Sequence, residues 1–209
     1  MPRITGIRER GRKVRVEVDG EYWAELDQEV VAQRNLTECA ELSNEDLHEL
    51  RVAGEYPLAM SRALNLIGYR ARSTHEIRQK LSRANYSDAS VDLVISRLRE
   101  LRYLDDEEYA RELAQDKSRK YGPRRIYAEL RKAGIQESTA CRIVDDEFTG
   151  RSEADEANEA AARRYNRSDG SAAQAQRVYG FLTRRGYSAE VCAEVARIYR
   201  QPSSEETEG

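Results

Sequence analysis

The sequence has few of the residues from which catalytic and metal sites are commonly built. Its 209 residues include two histidines and three cysteines, and Cys39, Cys141 and Cys192 form no Cys-x-x-Cys pair. A structural zinc site takes about four closely spaced His or Cys ligands. There is also no Gly-rich phosphate loop and no Gly-x-Ser-x-Gly elbow. We therefore expect no cofactor, no metal and no enzyme activity, with the cysteines as small buried side chains in a reducing compartment.

Long apolar runs are absent as well. No segment approaches the roughly 18 apolar residues that a membrane span requires, and residues 1–5 lack the apolar block of a signal peptide. Charged residues make up 35% of the chain, and its mean hydropathy is −0.83. These features predict a cytoplasmic protein with modest hydrophobic cores and no membrane contact.

The charge of the chain is unevenly distributed around a net value of −3. Residues 59–104 contain nine basic and four acidic side chains, whereas residues 1–58 contain eight and thirteen. A basic segment within an acidic chain indicates a face that meets a polyanion or an acidic partner. A solvated helical surface would give the same pattern, so charge alone leaves both interpretations open.

The N-terminal part of the chain predicts β-structure. Valines alternate with charged residues over 14–18, and after Asp19-Gly20 apolar residues recur at every second position, at Tyr22, Ala24 and Leu26. An Asp-Gly pair between two alternating runs is a strong indication of a β-hairpin. We expect residues 1–54 to contain this hairpin, a third strand upstream of it and a short helix near 28–33.

An internal repeat of helical pattern occupies the rest of the chain. Leu81, Leu130 and Leu182 are each preceded, four residues earlier, by an aliphatic residue and followed, five residues later, by an apolar one. Ten and thirteen positions beyond each leucine stand further small or aliphatic residues: Val91, Ala140, Cys192, Val94, Ile143 and Val195. The leucines are 49 residues (81 to 130) and 52 residues (130 to 182) apart. A period of this length predicts stacked helical units.

We therefore predict a mainly α fold, in which tandem three-helix repeats form an elongated, curved array beside a small N-terminal segment that contains the β-hairpin. The predicted boundaries are 1–54 for the N-terminal segment, 55–104, 105–149 and 150–200 for the three repeats, and 201–209 for a disordered tail.

Residues that favour helix ends support these boundaries. Serines typical of an N-cap begin four predicted helices, at Ser43, Ser73, Ser87 and Ser188. Gln136 departs from this pattern, which predicts a weaker cap. Gly134 and Gly186 stand where a helix must reverse with positive φ, and Asn85 occupies the same place in the first repeat. Pro57 is expected to begin a new helix.

Two acidic clusters are candidate functional features. Residues 105–108 (Asp-Asp-Glu-Glu) suit either a Mg²⁺ site or, as we favour, a helix N-terminus, where carboxylates oppose the positive end of the helix dipole. Residues 145–147 fall late in a predicted helix, where negative charge is unfavourable, which makes them a candidate contact surface.

Basic side chains of the first two repeats form the main candidate site. They are Arg70, Arg72, Arg78, Lys80, Lys117, Arg119, Lys120, Arg124, Arg125 and Arg131. Tyrosines are interleaved with them, so that phosphates and unpaired bases could both be bound. Arg124 and Arg125 fall in the first turn of a helix, the end that attracts anions. Alternatively, these side chains cover the edges of the cores and pair with nearby acids. No residue set indicates base readout.

Three segments, in order along the chain, resemble the RecX family. They are Tyr69–Leu81 with an Arg-Ser-x-x-Glu pattern, Arg102–Ala110 with Tyr-Leu-Asp-Asp, and Lys120–Ile135 with Gly-x-x-Arg-Ile. The core of the resemblance covers residues 59–148. Ile77 stands where leucine is commoner in the family, which leaves its packing role intact.

The resemblance implies a regulator of the RecA recombinase that acts in DNA repair, recombination and the SOS response. Such proteins bind RecA, lie in the groove of its filament on DNA, and inhibit strand exchange and ATP hydrolysis. Single-stranded DNA within the filament is a further candidate contact, and we expect a monomer. The RecA surface involved, and the choice between inhibition and filament remodelling, are left open. The alternative function is that of a stand-alone helical-repeat protein that binds single-stranded nucleic acid.

On this hypothesis the candidate residues divide into two groups. Arg72, Lys120, Arg124 and Arg125 would contact DNA phosphates or acidic loops of the partner. Six residues of the resembling segments would be structural, at the joins between repeats: Tyr103, Leu104, Asp105, Asp106, Tyr109 and Gly122.

Overall fold

Residues 1–165 and 169–200 are described by the computed structural model, so the tail predicted at 201–209 lies outside the described residues. The chain forms two units. The first comprises residues 1–105, and the second begins at Asp106.

The alternating N-terminal segment forms an antiparallel sheet of three strands in the order β1 (Ile4–Arg10), β2 (Lys13–Val18) and β3 (Glu21–Asp27). Asp19 and Gly20 connect β2 to β3 with φ of 49° and 86°. Positive φ at both central residues is the geometry that favours Asp-Gly in a two-residue hairpin turn. The predicted hairpin and its upstream strand are therefore confirmed.

Two helices follow the sheet, and the second of them corrects a prediction. The short helix α1 spans Gln28–Gln33, as expected. The long helix α2 spans Asn44–Tyr69 and contains Pro57, which we expected to begin a new helix. Gly54 also lies inside α2, and a Cβ there would lie 2.8 Å from the Leu26 side chain of β3. Packing of α2 against the sheet stabilises a helix that contains both of these helix-breaking residues.

Three successive sets of three helices follow the predicted repeat. The first set is α2, α3 (Thr74–Ser82) and α4 (Asp88–Glu100); the second is α5 (Asp106–Ser118), α6 (Pro123–Lys132) and α7 (Glu137–Phe148); the third is α8 (Glu153–Ala162), α9 (Ala172–Arg185) and α10 (Ala189–Ile198). The prediction of a mainly helical fold with tandem three-helix repeats is therefore confirmed. In the part of the chain that the structure describes, no helix has the length and apolarity needed to traverse a bilayer.

Each repeat has its own hydrophobic core around one of the predicted leucines. Leu81, Leu130 and Leu182 are fully buried, and the six apolar residues ten and thirteen positions beyond them are at most 3% exposed. The periodic pattern therefore identified the core positions. For the cysteines the prediction of burial was correct at Cys192 and wrong at Cys39 and Cys141, both of which are exposed.

The predicted helix ends are also present. The side chains of Ser43, Ser73, Ser87 and Ser188 accept backbone N–H groups at the starts of α2, α3, α4 and α10. Gln136 provides no side-chain cap to α7, as its departure from the serine pattern predicted. Asn85, Gly134 and Gly186 have φ of 64°, 82° and 87°, the left-handed conformation expected at these turns.

Candidate functional site

In the first repeat, two of the predicted basic residues converge on one carboxylate. The side chain of Arg70 pairs with Glu76 at 2.7 Å, and that of Arg72 approaches the same carboxylate to 3.9 Å. Arg72 is also mostly buried and donates to the Leu66 carbonyl of α2 at 3.3 Å. Arg72 therefore holds the end of α2 to the start of α3, which limits its availability to a partner.

The other two basic candidates of the first repeat differ from each other. Arg78 of α3 pairs with Asp92 of α4 at 2.5 Å, although both side chains remain substantially exposed. Lys80 forms no ion pair with any residue in 1–165 or 169–200. Tyr69 is 85% exposed at the end of α2 and is the most accessible of the tyrosines interleaved with the basic residues.

In the second repeat, three basic candidates have local partners. Lys117 and Arg125 both pair with Glu129, at 3.4 and 3.0 Å, and both lie 5.7 Å from the ring centre of Tyr121. Arg131 donates to the Ile135 carbonyl at 2.6 Å, beyond the end of α6. These side chains cover the edge of the repeat core, as the alternative interpretation of the basic residues proposed.

The N-terminus of α6 is already bonded to protein carbonyls. The N–H groups of Gly122 and Arg124 donate to the carbonyls of Arg185 and Gly186, at 2.9 and 3.1 Å. Pro123 has no N–H group to offer. Carbonyls at the end of α9 therefore already accept two of the N–H groups at this helix end, so an anion here would have to be bound by the side chain of Arg124.

The remaining positive charge is concentrated in a few residues. Among the ten predicted basic candidates, five form no ion pair within residues 1–165 and 169–200: Lys80, Arg119, Lys120, Arg124 and Arg131, the last of which donates to the Ile135 carbonyl. Arg119, Lys120 and Arg124 are exposed and belong to the second repeat. Because no carboxylate neutralises them, these side chains are the best candidates for contact with an anionic partner.

The six residues expected at joins between repeats have varied surroundings. Leu104 is buried in the core of the first repeat, whereas Tyr103 is 54% exposed. Tyr109 packs against the core of the second repeat. Gly122 is buried, and a Cβ there would lie 2.8 Å from the Gly186 carbonyl oxygen, so the second and third repeats meet closely at this point.

The acidic residues 105–108 lie at the start of α5. Asp106 is its first residue, and Asp106, Glu107 and Glu108 form its first turn. Within the described residues no group of three or more His, Cys, Asp or Glu side chains is arranged to hold a metal ion. Among the second cluster, Asp146 pairs with Arg142, and Glu147 accepts from the Ser118 hydroxyl at 2.6 Å.

A buried glutamate that the sequence analysis did not identify connects the first and third helices of repeat one. Glu55 is 2% exposed, and its carboxylate accepts from the Ser87 N–H at 2.7 Å, the Ser87 hydroxyl at 2.6 Å and Arg51 at 2.7 Å. In the third repeat, Glu153 accepts from the Ser188 N–H at 2.6 Å. A glutamate some 32 to 35 residues before a capping serine was the signal that could have revealed both contacts.

Arg151 is a second residue that the sequence analysis missed. It pairs with Glu147 of α7 at 3.1 Å and with Glu156 of α8, and it donates to the Ser118 carbonyl at the end of α5. It lies beside the buried Tyr187, whose phenol pKa is raised mainly by burial. Arg151 therefore connects the second repeat to the start of the third.

Two family models match consecutive parts of the chain. The model for the first three-helix domain of RecX matches residues 59–98, and the model for the second three-helix domain of RecX matches residues 105–141. These segments fall on the first and second helical repeats.

Curated relatives with the name regulatory protein RecX extend the match. The protein from Lactobacillus gasseri is 32% identical over 139 residues, which are 65% of this chain and 51% of the relative. The protein from Clostridium beijerinckii is 26% identical over 205 residues, which are 94% of each chain. This chain thus spans about half the length of the Lactobacillus relative and nearly all of the Clostridium one.

Solved structures agree with the sequence matches. A crystal structure of a regulatory protein RecX superposes with a TM-score of 0.57 and 26% identity, covering 94% of this chain and all of the other. The crystal structure of RecX from Lactobacillus salivarius gives a TM-score of 0.54 at 20% identity, over 69% of this chain, and shows a shared fold.

Proposed function

This chain belongs to the RecX family, and on that premise we propose that it binds the RecA filament on DNA and inhibits its strand exchange and ATP hydrolysis. The observation that carries the proposal is the match of two consecutive RecX domain models to two consecutive three-helix repeats. The relatives are named regulatory proteins, which supports a role without catalysis. In this proposal the chain acts in the cytoplasm, during DNA repair and recombination.

The proposed contacts are the exposed cations of the second repeat. Lys120 and Arg124 have no carboxylate partner within the described residues, so an acidic loop or a DNA phosphate would add ion pairs without breaking existing ones. Arg72 and Arg125, which already pair with Glu76 and Glu129, are weaker candidates, because a partner would have to displace those carboxylates.

The residues around Tyr103 have a different proposed role. Leu104 anchors this segment in the core of the first repeat, and we propose that Tyr103, Asp105 and Asp106 fix the connection to the second repeat. Substitutions of these residues would then weaken the inhibition of RecA by displacing the repeats, while the cationic side chains themselves stay unchanged.

The test is retention of RecA by the immobilised chain, with and without single-stranded DNA and nucleotide, followed by RecA strand exchange and ATPase assays at sub-stoichiometric doses. We expect retention and lower rates. The double variant Lys120→Ala/Arg124→Ala should weaken both effects. The matched control Lys132→Ala/Arg197→Ala removes the same charge from exposed positions outside the proposed contact. Unchanged RecA rates at saturating doses of the wild-type chain would contradict the proposal.

The alternative is a chain that binds single-stranded nucleic acid without RecA. Of the tyrosines interleaved with the basic candidates, Tyr69 is 85% exposed and could stack on a base, whereas Tyr121 and Tyr127 are partly buried against the core of the second repeat. Tight binding of an oligonucleotide by the chain alone, steeply weakened by salt and without RecA retention, would favour this alternative.

A further inference from the structure

A crevice lined by arginines lies within the second unit. It has a volume of about 300 Å³, and four arginines and two glutamates are among its lining residues: Arg119, Arg151, Arg163, Arg185, Glu156 and Glu159. The two glutamates lie in α8 and Arg185 ends α9, whereas Arg119 and Arg163 directly follow α5 and α8, and Arg151 lies in the connection before α8. The lining therefore has two more positive than negative side chains.

The four arginines differ in whether a carboxylate of the chain already pairs with them. Arg151 is saturated by Glu147 and Glu156, and Arg163 pairs with Glu159 at 2.9 Å. Arg185 lies over the Phe181 ring at 4.6 Å and donates to the Lys120 carbonyl at 3.0 Å, but it pairs with no carboxylate of the described residues. Arg119 likewise forms no ion pair in that part of the chain. Two guanidinium groups are thus available to an anion.

The geometry points to a site for a carboxylate side chain, and we propose that this crevice anchors an acidic peptide segment of a protein partner. A guanidinium group presents a planar set of N–H donors that matches the two oxygens of a carboxylate. The positioning of Arg185 by Phe181 and the Lys120 carbonyl reduces the rotamer entropy that binding would cost. The proposal rests on the proposed function only for the identity of that partner.

The lining favours a peptide over a nucleic-acid strand for two reasons. Glu156 and Glu159 lie among the arginines, so their carboxylates would repel a nucleic-acid strand, which has a negative charge on every phosphate. A peptide can place one carboxylate at the arginines and a polar or basic group at the glutamates. In addition, the aromatic residue of the crevice, Tyr187, is only 6% exposed and offers no face for base stacking.

The test is fluorescence anisotropy with two labelled probes at low salt, an octapeptide of alternating glycine and glutamate and an oligo(dT) strand. We expect the peptide to bind the full chain. Arg119→Glu should raise the Kd for the peptide at least about tenfold, and Arg119→Lys should raise it less. Glu159→Gln should instead tighten binding, because it removes a repelling carboxylate. The matched control Arg197→Glu reverses an exposed charge outside the crevice and should change the affinity little. Circular dichroism would verify that each variant is folded.

Each further result decides the proposal. The proposal would be overturned if Arg119→Glu and Arg197→Glu reduced the affinity for the peptide equally. It would also be overturned if Arg119→Glu lost oligonucleotide binding but kept peptide binding. RecA retention separates this proposal from the proposed function. If RecA is retained equally by the wild-type chain and Arg119→Glu, and the acidic peptide does not bind the wild-type chain, the crevice proposal fails and the proposed function stands. If the wild-type chain does not retain RecA, the proposed function fails, and the peptide titration still decides the crevice.

Discussion

The contact between the second and third repeats makes Gly186 the most sensitive glycine of the second unit. Its φ of +87° is left-handed, which costs a residue with a Cβ about 1–2 kcal/mol. A Cβ at this position would also overlap the backbone N and the Cβ of Arg125, and would lie 2.8 Å from its Cα. Because these are mainly backbone atoms, relief requires movement of α6, with an overpacking cost of about 1–3 kcal/mol. Gly186→Ala should therefore destabilise the chain by about 2–5 kcal/mol.

Gly150→Ala is the matched control for this prediction. Gly150 has a similar φ of +75°, but a Cβ there would have no neighbour within 4 Å. Only the conformational cost of about 1–2 kcal/mol applies to it, and the loss of unfolded-state entropy is the same in both variants. The difference between the two variants therefore measures the steric contact alone.

Urea denaturation followed by circular dichroism gives the two free energies of unfolding. Hydrogen exchange supplies a local measurement, because the N–H groups of Gly122 and Arg124 donate to the end of α9. Both amides should be protected in the wild-type chain and exchange faster in Gly186→Ala than in Gly150→Ala. If the two variants have equal stabilities and equal protection at these amides, the inferred close contact between the repeats is refuted.

Three further predictions concern single side chains. Glu55→Ala leaves a partly buried serine and an arginine without their acceptor and should lower the free energy of unfolding, measured by urea denaturation, by about 2–4 kcal/mol. The exposed control Glu49→Ala should lower it by less than about 0.5 kcal/mol. Burial raises the pKa of the Cys192 thiol, so a thiol reagent should label Cys39 and Cys141 in the native chain and Cys192 only on unfolding. Rapid labelling of all three cysteines in the native chain would contradict the burial of Cys192. Hydrogen bonds from Ser43 lower the pKa of Asp46, so this carboxylate contributes stability above its unfolded pKa and loses it as the pH falls through the folded value. Ser43→Ala should therefore show a smaller loss of stability between about pH 6 and pH 3 than the wild-type chain does, and an unaltered pH dependence would count against the cap.

Those parts of the fold that depend on local signals could be predicted from the sequence. The Asp19-Gly20 hairpin, the serine caps and the left-handed turn at Asn85 each depend on a few adjacent residues, and all are present. The buried leucines were predictable because a helix repeats its buried face at regular intervals. Pro57 was misinterpreted because its local preference is overridden by distant packing: α2 continues through it while lying against β3.

The candidate site was less predictable, because charge alone does not show which side chains are already neutralised. The basic pattern identified Arg119 and Arg125 equally, yet Arg125 pairs with Glu129 and Arg119 has no ion pair within the described ranges. Contacts between distant positions had no local signature at all. The donation from Arg185 to the Lys120 carbonyl joins residues 65 positions apart, and only the folded chain brings them together.

The three repeats share one plan but differ in how their middle helices begin, and this difference connects stability to the proposed binding. Ser73 and Ser171 cap α3 and α9 from within their own repeats, whereas Gly122 provides no side-chain cap and α6 is capped by carbonyls of the third repeat. Arg185, whose carbonyl accepts a hydrogen bond at this same join, also lines the proposed crevice together with Arg119. A carboxylate that bound both Arg119 and Arg185 would connect the second repeat to the third and stabilise the join. Binding and the packing of the second repeat on the third are therefore thermodynamically linked, so that a change which loosens the join also weakens the binding.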